Sequence, residues 1–475
     1  MDELIEAGAQ ALLAALASGT ISAEELMRAT LERVARENPR VNALVSLRPP
    51  EEVLAEARAA DATRARGSVA GVLHGLPMAI KDLSNVAGMP TSRGSPLFAG
   101  QIAESDELFV ARLRAAGAIF IGKTNTPEFG LGGHTFNTVF GATRNPYDLT
   151  RSAGGSSGGA ATALASGMVA LADGSDMMGS LRNPAAWNNL YGFRTSWGLV
   201  PDTPAGETFL HPVATVGPMA RNPRDLALLL SVISGPVAAR PFCLPSAPFP
   251  ALLDAPVTGR RIGWLGDWGG VLPMEPGILD LCEAALAQME GLGLEVERLA
   301  PPFPAADIWE AWTILRAFAV TGGLGPLHDD PGKRARMKAS ARWEVEKGRS
   351  LSLADVERAS LIRSNLFAAL AALFARVDAL ALPSAQVWPF PVEREYPTEI
   401  AGRDMDTYHR WMEVVVPASL TGLPCLSVPV GFGGAGLPMG MQLIGPHGGD
   451  AGLLQLAEAW HMATDWPGRR PPPRA

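Results

Sequence analysis

Residues 151–161 read RSAGGSSGGAA, four glycines bracketing Ser156 and Ser157 with small residues on either side. Glycine and serine are ordinary loop residues, so the stretch is either a linker or a site where the backbone must come close to a reacting group. Gly154-Gly155-Ser156-Ser157-Gly158 satisfies the GxSxG pattern of a nucleophile elbow. An elbow needs a strand directly before it and histidine as partner. The preceding RNPYDLTRSA reads as polar and turn-like, although His211, His328, His409, His447 and His461 all follow downstream. A phosphate loop is the other formal match, at Gly117–Thr124 (GAIFIGKT). Its intervening residues AIFI form an apolar strand, not a loop whose N–H groups wrap phosphate.

The rest of the chain is that of a globular enzyme-sized protein. It has 475 residues, 47% hydrophobic and 19% charged, with a formal charge of -8. No Lys/Arg block stands out, which argues against a nucleic-acid groove. Cys243, Cys282 and Cys425 are far apart and odd in number. They suggest neither a zinc site nor a disulfide framework, and fit free thiols in a reducing cytoplasm. The first twenty residues carry early acids and no basic n-region, so they read as an amphipathic helix ended by Gly19 rather than a signal peptide or membrane span. Ser22 with Glu25 three residues on forms a capping box that starts a second helix.

Strand and helix patterns alternate along the chain, which points to an α/β fold. GLPMAIKDL (75–83) puts a short apolar strand before Lys81. DELFVARLRAAGAIFIGKTN (106–125) reads as helix, turn at Gly117, and buried strand. Residues 158–171 suit a small-residue helix packed closely on a sheet. Residues 182–220 read as loops with short strands, 223–235 as a helix, and the proline-rich 236–258 as a linker. Strand–helix–strand then follows, with a largely helical 305–376, late strands in VDALALPSA and PCLSVPVGF, and a frayed tail PGRRPPPRA.

A third serine stands in DGSDMMGSLRNPAAW (173–187). Ser180 follows Gly179 in a tight turn, where several backbone N–H groups can surround one oxygen. Lys81, Ser156 and Ser180 thus occur in order, each among small residues. Here the chain resembles the amidase signature family, whose pattern runs GGSSGG, a small-residue helix, then G-x-D-x-G-G-S-[IL]-R-x-P-A. The chain gives GGSSGG at 154–159 and GSDMMGSLRNPA at 174–185, with Ser156 and Ser180 standing 24 positions apart. GLPMAIKDL, GKTNTPEFG (122–130), NPYDLTRSAGGSSGGAA (145–161) and TGLPCLSVPVGF with GLPMGMQLIGP (421–446) also match.

The resemblance implies one domain over 1–470, a mixed central β-sheet covered by helices on both faces. It divides into N-terminal helices (3–66), a catalytic core (67–235), a variable, largely helical region (236–376), and a C-terminal sheet and helix (377–465). It implies amide hydrolysis through an acyl-enzyme, with Ser180 as nucleophile, Ser156 as bridging serine and Lys81 as base. Ser157 would mainly shape the loop. The backbone N–H groups of Met177, Met178, Gly179 and Ser180 would hold the oxyanion, and Asp176 and Arg182 would brace the loop. Gly130, Leu131 and His134 lie where family members contact substrate. The physical logic stands beside the name: a serine hydroxyl needs an adjacent base, and lysine serves only if its pKa is depressed from about 10.4.

A small-molecule amide is the partner implied, with no metal and no cofactor; homodimers are common in the family. Three departures bear on subfamily: Met178 where glycine is usual, Thr195 where proline is usual, and Leu199 where arginine is usual. An outward-turned Met178 is a tolerated variation; an inward one narrows the acyl pocket. The alternatives are the ammonia-supplying component of a glutamyl-tRNA amidotransferase, acting with a partner, and an inactive family member serving as a binding scaffold.

Overall fold

Two sheets meet behind the paired serines. The computed structural model describes residues 2–204, 207–210 and 212–474; His211 lies outside the described residues. Strand β1 (Pro77–Lys81) pairs in parallel with β2 (Ile119–Thr124), which also pairs antiparallel with Leu44–Val45. The larger sheet has eight strands: β3 (Ala172–Asp176), β4 (Tyr191–Arg194), β5 (Thr215–Ala220), β6 (Arg261–Trp264), β7 (Glu295–Arg298), β8 (Ala379–Pro383), β9 (Cys425–Phe432) and β10 (Pro438–Ile444). Their spatial order is β7-β6-β8-β10-β9-β4-β5-β3. The pairs β6–β7 and β6–β8 are parallel and the rest antiparallel, so the sheet is mixed as expected.

Both faces of this sheet are covered. Along β8, Ala379 and Ala381 join one hydrophobic cluster, while Leu380 and Leu382 join another on the opposite face, as a period of two dictates. The second cluster includes the long helix Ala305–Asp329 through Ile308, Trp312 and Leu315. A strand in such a sandwich reads as a continuous apolar run, which is why VDALALPSA and PCLSVPVGF are legible as strands.

Local signals behave as the chemistry demands. Gly19 ends the helix Ala9–Ser18 in the left-handed region, and the Ser22–Glu25 capping box opens Ala23–Val41. The GAIFIGKT segment is strand β2 with Lys123 buried in it, so no phosphate loop exists there. Three readings change. A short strand, Asp148–Ser152, does precede the glycine–serine stretch, but in a two-stranded ribbon with Arg144–Asn145 rather than in the main sheet. Residues 182–187 form a helix, because Pro184 falls in its first turn where a missing N–H costs nothing. The tail is tied down: Asn189 Nδ2 and Tyr147 Oη donate to the Arg470 carbonyl, and Arg474 pairs with Glu6. Among the described residues, no helix is long and apolar enough to cross a membrane.

Candidate active site

Lys81 ends β1 fully buried, and its side chain crosses to the glycine–serine loop. Its Nζ lies 2.8 Å from Ser156 Oγ and 2.8 Å from Ser157 Oγ, with Ser175 Oγ at 3.2 Å. Ser157 therefore does more than shape the loop: both serines of the pair meet the lysine. The approach needs a small residue opposite, since a Cβ on Gly174 would lie 2.7 Å from Ser157 Oγ. The Gly155–Ser156 peptide is cis. Burial pulls the Lys81 pKa down to about 7, against the opposing pull of the Asp173 and Asp176 carboxylates. At neutral pH a large fraction of this amine is therefore unprotonated.

Ser180 stands at the end of the loop after β3, buried. Its carbonyl accepts from the Ser157 N–H at 3.2 Å, which ties the two serine loops together. Among the described residues its hydroxyl makes no hydrogen bond, nor do the backbone N–H groups of Met177, Met178 and Ser180. Gly179 differs: its N–H donates to Asp176 Oδ1 at 2.8 Å. Of the four N–H groups expected to face an oxyanion, one is spent on the brace. Gly179 is also the residue with φ +77°, so the conformation that favours glycine sits there and Met178 escapes it.

The brace is strong. Asp176 accepts from the Leu181 N–H at 3.1 Å and takes Arg182 through Nε and Nη2, each at 3.0 Å. Arg182 reaches on to the Val415 carbonyl, Gln442 Oε1 and Ser419 Oγ. Arg194 donates to the Asp176 main-chain carbonyl and stands 3.5 Å from its carboxylate. Burial pushes the Asp176 carboxyl up, but the two guanidiniums and the N–H donors outweigh it and hold it well below the usual carboxylate range.

Met178 turns inward. It is 3% exposed and joins the cluster of Trp187, Val213, Trp411 and Val415. Met178→Ala is expected to lower stability by about 2–4 kcal/mol in chemical denaturation, the usual cost of a cavity where a buried methionine stood. A change within about 0.5 kcal/mol would mean the side chain is not packed.

The three expected substrate contacts separate. Gly130 lies beside Ser156, where a Cβ would sit 3.6 Å from its Oγ. Leu131 packs with Val320, Met337 and Ala341. His134 is buried with both ring nitrogens occupied, by Ser152 Oγ at 2.7 Å and the Val392 carbonyl at 2.9 Å. Burial lowers its pKa to about 4, so it is a neutral tie between loops. Trp187, Trp312 and Trp411 are core residues, and Trp309 is nearly so.

The comparisons with known proteins agree over almost the full length. The Amidase family profile matches residues 25–454. An acylamidase from Rhodococcus erythropolis is 33% identical over 466 residues, covering 97% of this chain and 96% of that protein. The A component of the glutamyl-tRNA(Gln) amidotransferase from Chloroflexus aggregans is also 33% identical, covering 99% of each. The crystal structure of a bacterial aryl acylamidase of the amidase signature enzymes superposes with a TM-score of 0.91, at 30% identity over 98% of this chain and 99% of that one.

Proposed function

The chain belongs to the amidase signature family, and on that premise we propose that it hydrolyses a linear carboxamide C–N bond, releasing ammonia or an amine. Ser180 is the nucleophile, Ser156 the proton relay and Lys81 the base. The observation that carries this reading is the 2.8 Å contact between the buried Lys81 amine and Ser156 Oγ. A lysine with its pKa near 7 is a competent general base at neutral pH, and among the described residues no histidine hydrogen-bonds to either serine of the pair.

In the first step Ser180 Oγ forms a bond to the carbonyl carbon while its proton passes through Ser156 to Lys81. The carbonyl oxygen becomes an oxyanion, and the unspent N–H groups of Met177, Met178 and Ser180 are its donors. Collapse breaks the C–N bond, and the proton returns through Ser156 to the departing amine. Water then attacks the acyl-enzyme by the same relay, giving the acid and free Ser180.

The test is ammonia and amine release over a panel of aliphatic amides, anilides and glutamine, with wild type and Ser180→Ala. One strong wild-type substrate, lost in Ser180→Ala, supports the reading; a wild-type substrate that Ser180→Ala still turns over would sink it. The equal identity to an amidotransferase component favours one second reading, a glutaminase acting with a partner protein. Glutamine as the preferred panel member, with activity rising on addition of a co-purifying protein, would select it.

A further inference from the structure

Asp173 is the second residue of β3, fully buried, on the strand that leads into the nucleophile loop. Its carboxylate accepts the main-chain N–H of Lys81 at 3.1 and 3.4 Å. Its β5 neighbour in register is Pro218, which has no N–H to offer. Among the described residues no cation stands within ion-pair distance of it. Of the two lysines in its field, Lys123 is held by Asp82 at 3.6 Å, the Ser84 carbonyl and Thr91 Oγ1. The other is Lys81. A buried carboxylate held only by main-chain donors is costly unless a nearby cation balances it. That balance is complete only when Lys81 is an ammonium.

We propose that Asp173 is a positioning residue for the reaction, supplying the counter-charge to the Lys81 ammonium that forms when the nucleophile loses its proton. This rests on the reading of Lys81 as base. The charge moves nowhere new: the proton goes from Ser180 through Ser156 to Lys81, and Asp173 stays a carboxylate that stabilises the product of that transfer. The same carboxylate fixes the main chain at Lys81, so its charge and the amine's place in the site are set together. The other charged groups facing the pair are Asp176 at the far end of β3, and Lys123 and Asp82 on the adjoining strands. Asp176 is neutralised by Arg182 and Arg194, which leaves Asp173 as the uncommitted anion. Burial raises its pKa to about 6, against the opposing pull of the Lys81 N–H and of the Lys81 and Lys123 charges.

The experiment is the pH dependence of kcat/KM for Asp173→Asn beside wild type, Asp173→Glu and Lys81→Ala. Removing the anion makes the ammonium harder to form. The acid limb of Asp173→Asn should therefore move to lower pH by about one unit, and plateau kcat should fall about tenfold as the base weakens. Asp173→Glu, which keeps the charge, should return the limb toward wild type. An Asp173→Asn enzyme with lowered kcat but an unmoved limb would overturn the proposal, since a structural role alone does that. If Lys81→Ala keeps full activity, the base assignment itself fails, and that result is separate. Should Asp173→Asn not fold, Asp173→Ser, which also removes the charge and keeps an acceptor oxygen on the residue, carries the same expected shift and the same overturning result.

Discussion

Lys81→Ala is expected to lower kcat by ~10⁴-fold on the best amide substrate, with the fold intact. The size follows from what the side chain does alone. No other base reaches Ser156 Oγ among the described residues, and the serines left behind, Ser157 and Ser175, are hydroxyls that cannot take up a further proton near neutral pH. The residual rate would come from the oxyanion donors and from binding, which survive. The wild-type rate should rise with pH through about 7, where the Lys81 amine loses its proton, and the variant's residual rate should show no such limb. Stability rises with pH as well, over a higher window. Burial depresses the folded-state pKa of this lysine from 10.5, so the folded chain binds fewer protons than the unfolded chain between pH 7 and 10.5, and its stability climbs across that window. Lys81→Ala should lack the climb. Retention of more than a tenth of wild-type kcat would refute the assignment.

What is legible in the sequence is the part encoded in short runs. Lys81, Ser156 and Ser180 each sit in a motif of small residues, because backbones and side chains must crowd there and only small residues fit. The capping box at Ser22 and the glycine stop at Gly19 are local in the same sense. The missed features depend on distance through space. Arg182 is held by Val415, Ser419 and Gln442, more than 230 positions away, and no spacing rule reaches that far. Asp173 stands in plain view in DGSDMMGS, yet its relation to Lys81 exists only because β1 and β3 come together. The helix 182–187 and the strand Asp148–Ser152 are hidden by composition: the first is Asn- and Pro-containing, the second half-exposed and polar. His134 shows the same limit, since its motif position says where the chain runs and not where both ring nitrogens go.

Asp176→Asn is expected to cost about 3–5 kcal/mol of stability, with a large fall in kcat alongside. The carboxylate is fully buried and accepts from two backbone N–H groups and from Arg182 at two nitrogens, with Arg194 beside it. An amide in its place keeps the shape but offers one acceptor oxygen and turns an NH2 toward donors. Two guanidiniums would then stand in the interior without an anion between them. The other partners of Arg182 are neutral oxygens, so they keep the side chain in place without balancing its charge. That uncompensated charge, more than the lost hydrogen bonds, sets the size of the penalty. The pH dependence separates the two causes. Since the folded-state pKa of Asp176 lies below its ordinary value, its contribution is fully present above about pH 4 and is lost as pH falls toward the folded value. Wild type should lose stability in that acid range, and the variant should lose less of it, having already forfeited the pair. The fall in kcat follows from the same contacts: the Gly179 and Leu181 N–H groups are what hold the loop so that Met177, Met178 and Ser180 keep theirs free. Urea denaturation at about pH 7 and about pH 3, with kcat measured at the higher pH, reads both effects. A variant within about 1 kcal/mol of wild type at neutral pH would mean that the guanidiniums find their balance elsewhere, and that the brace on the Ser180 loop is not the ion cluster.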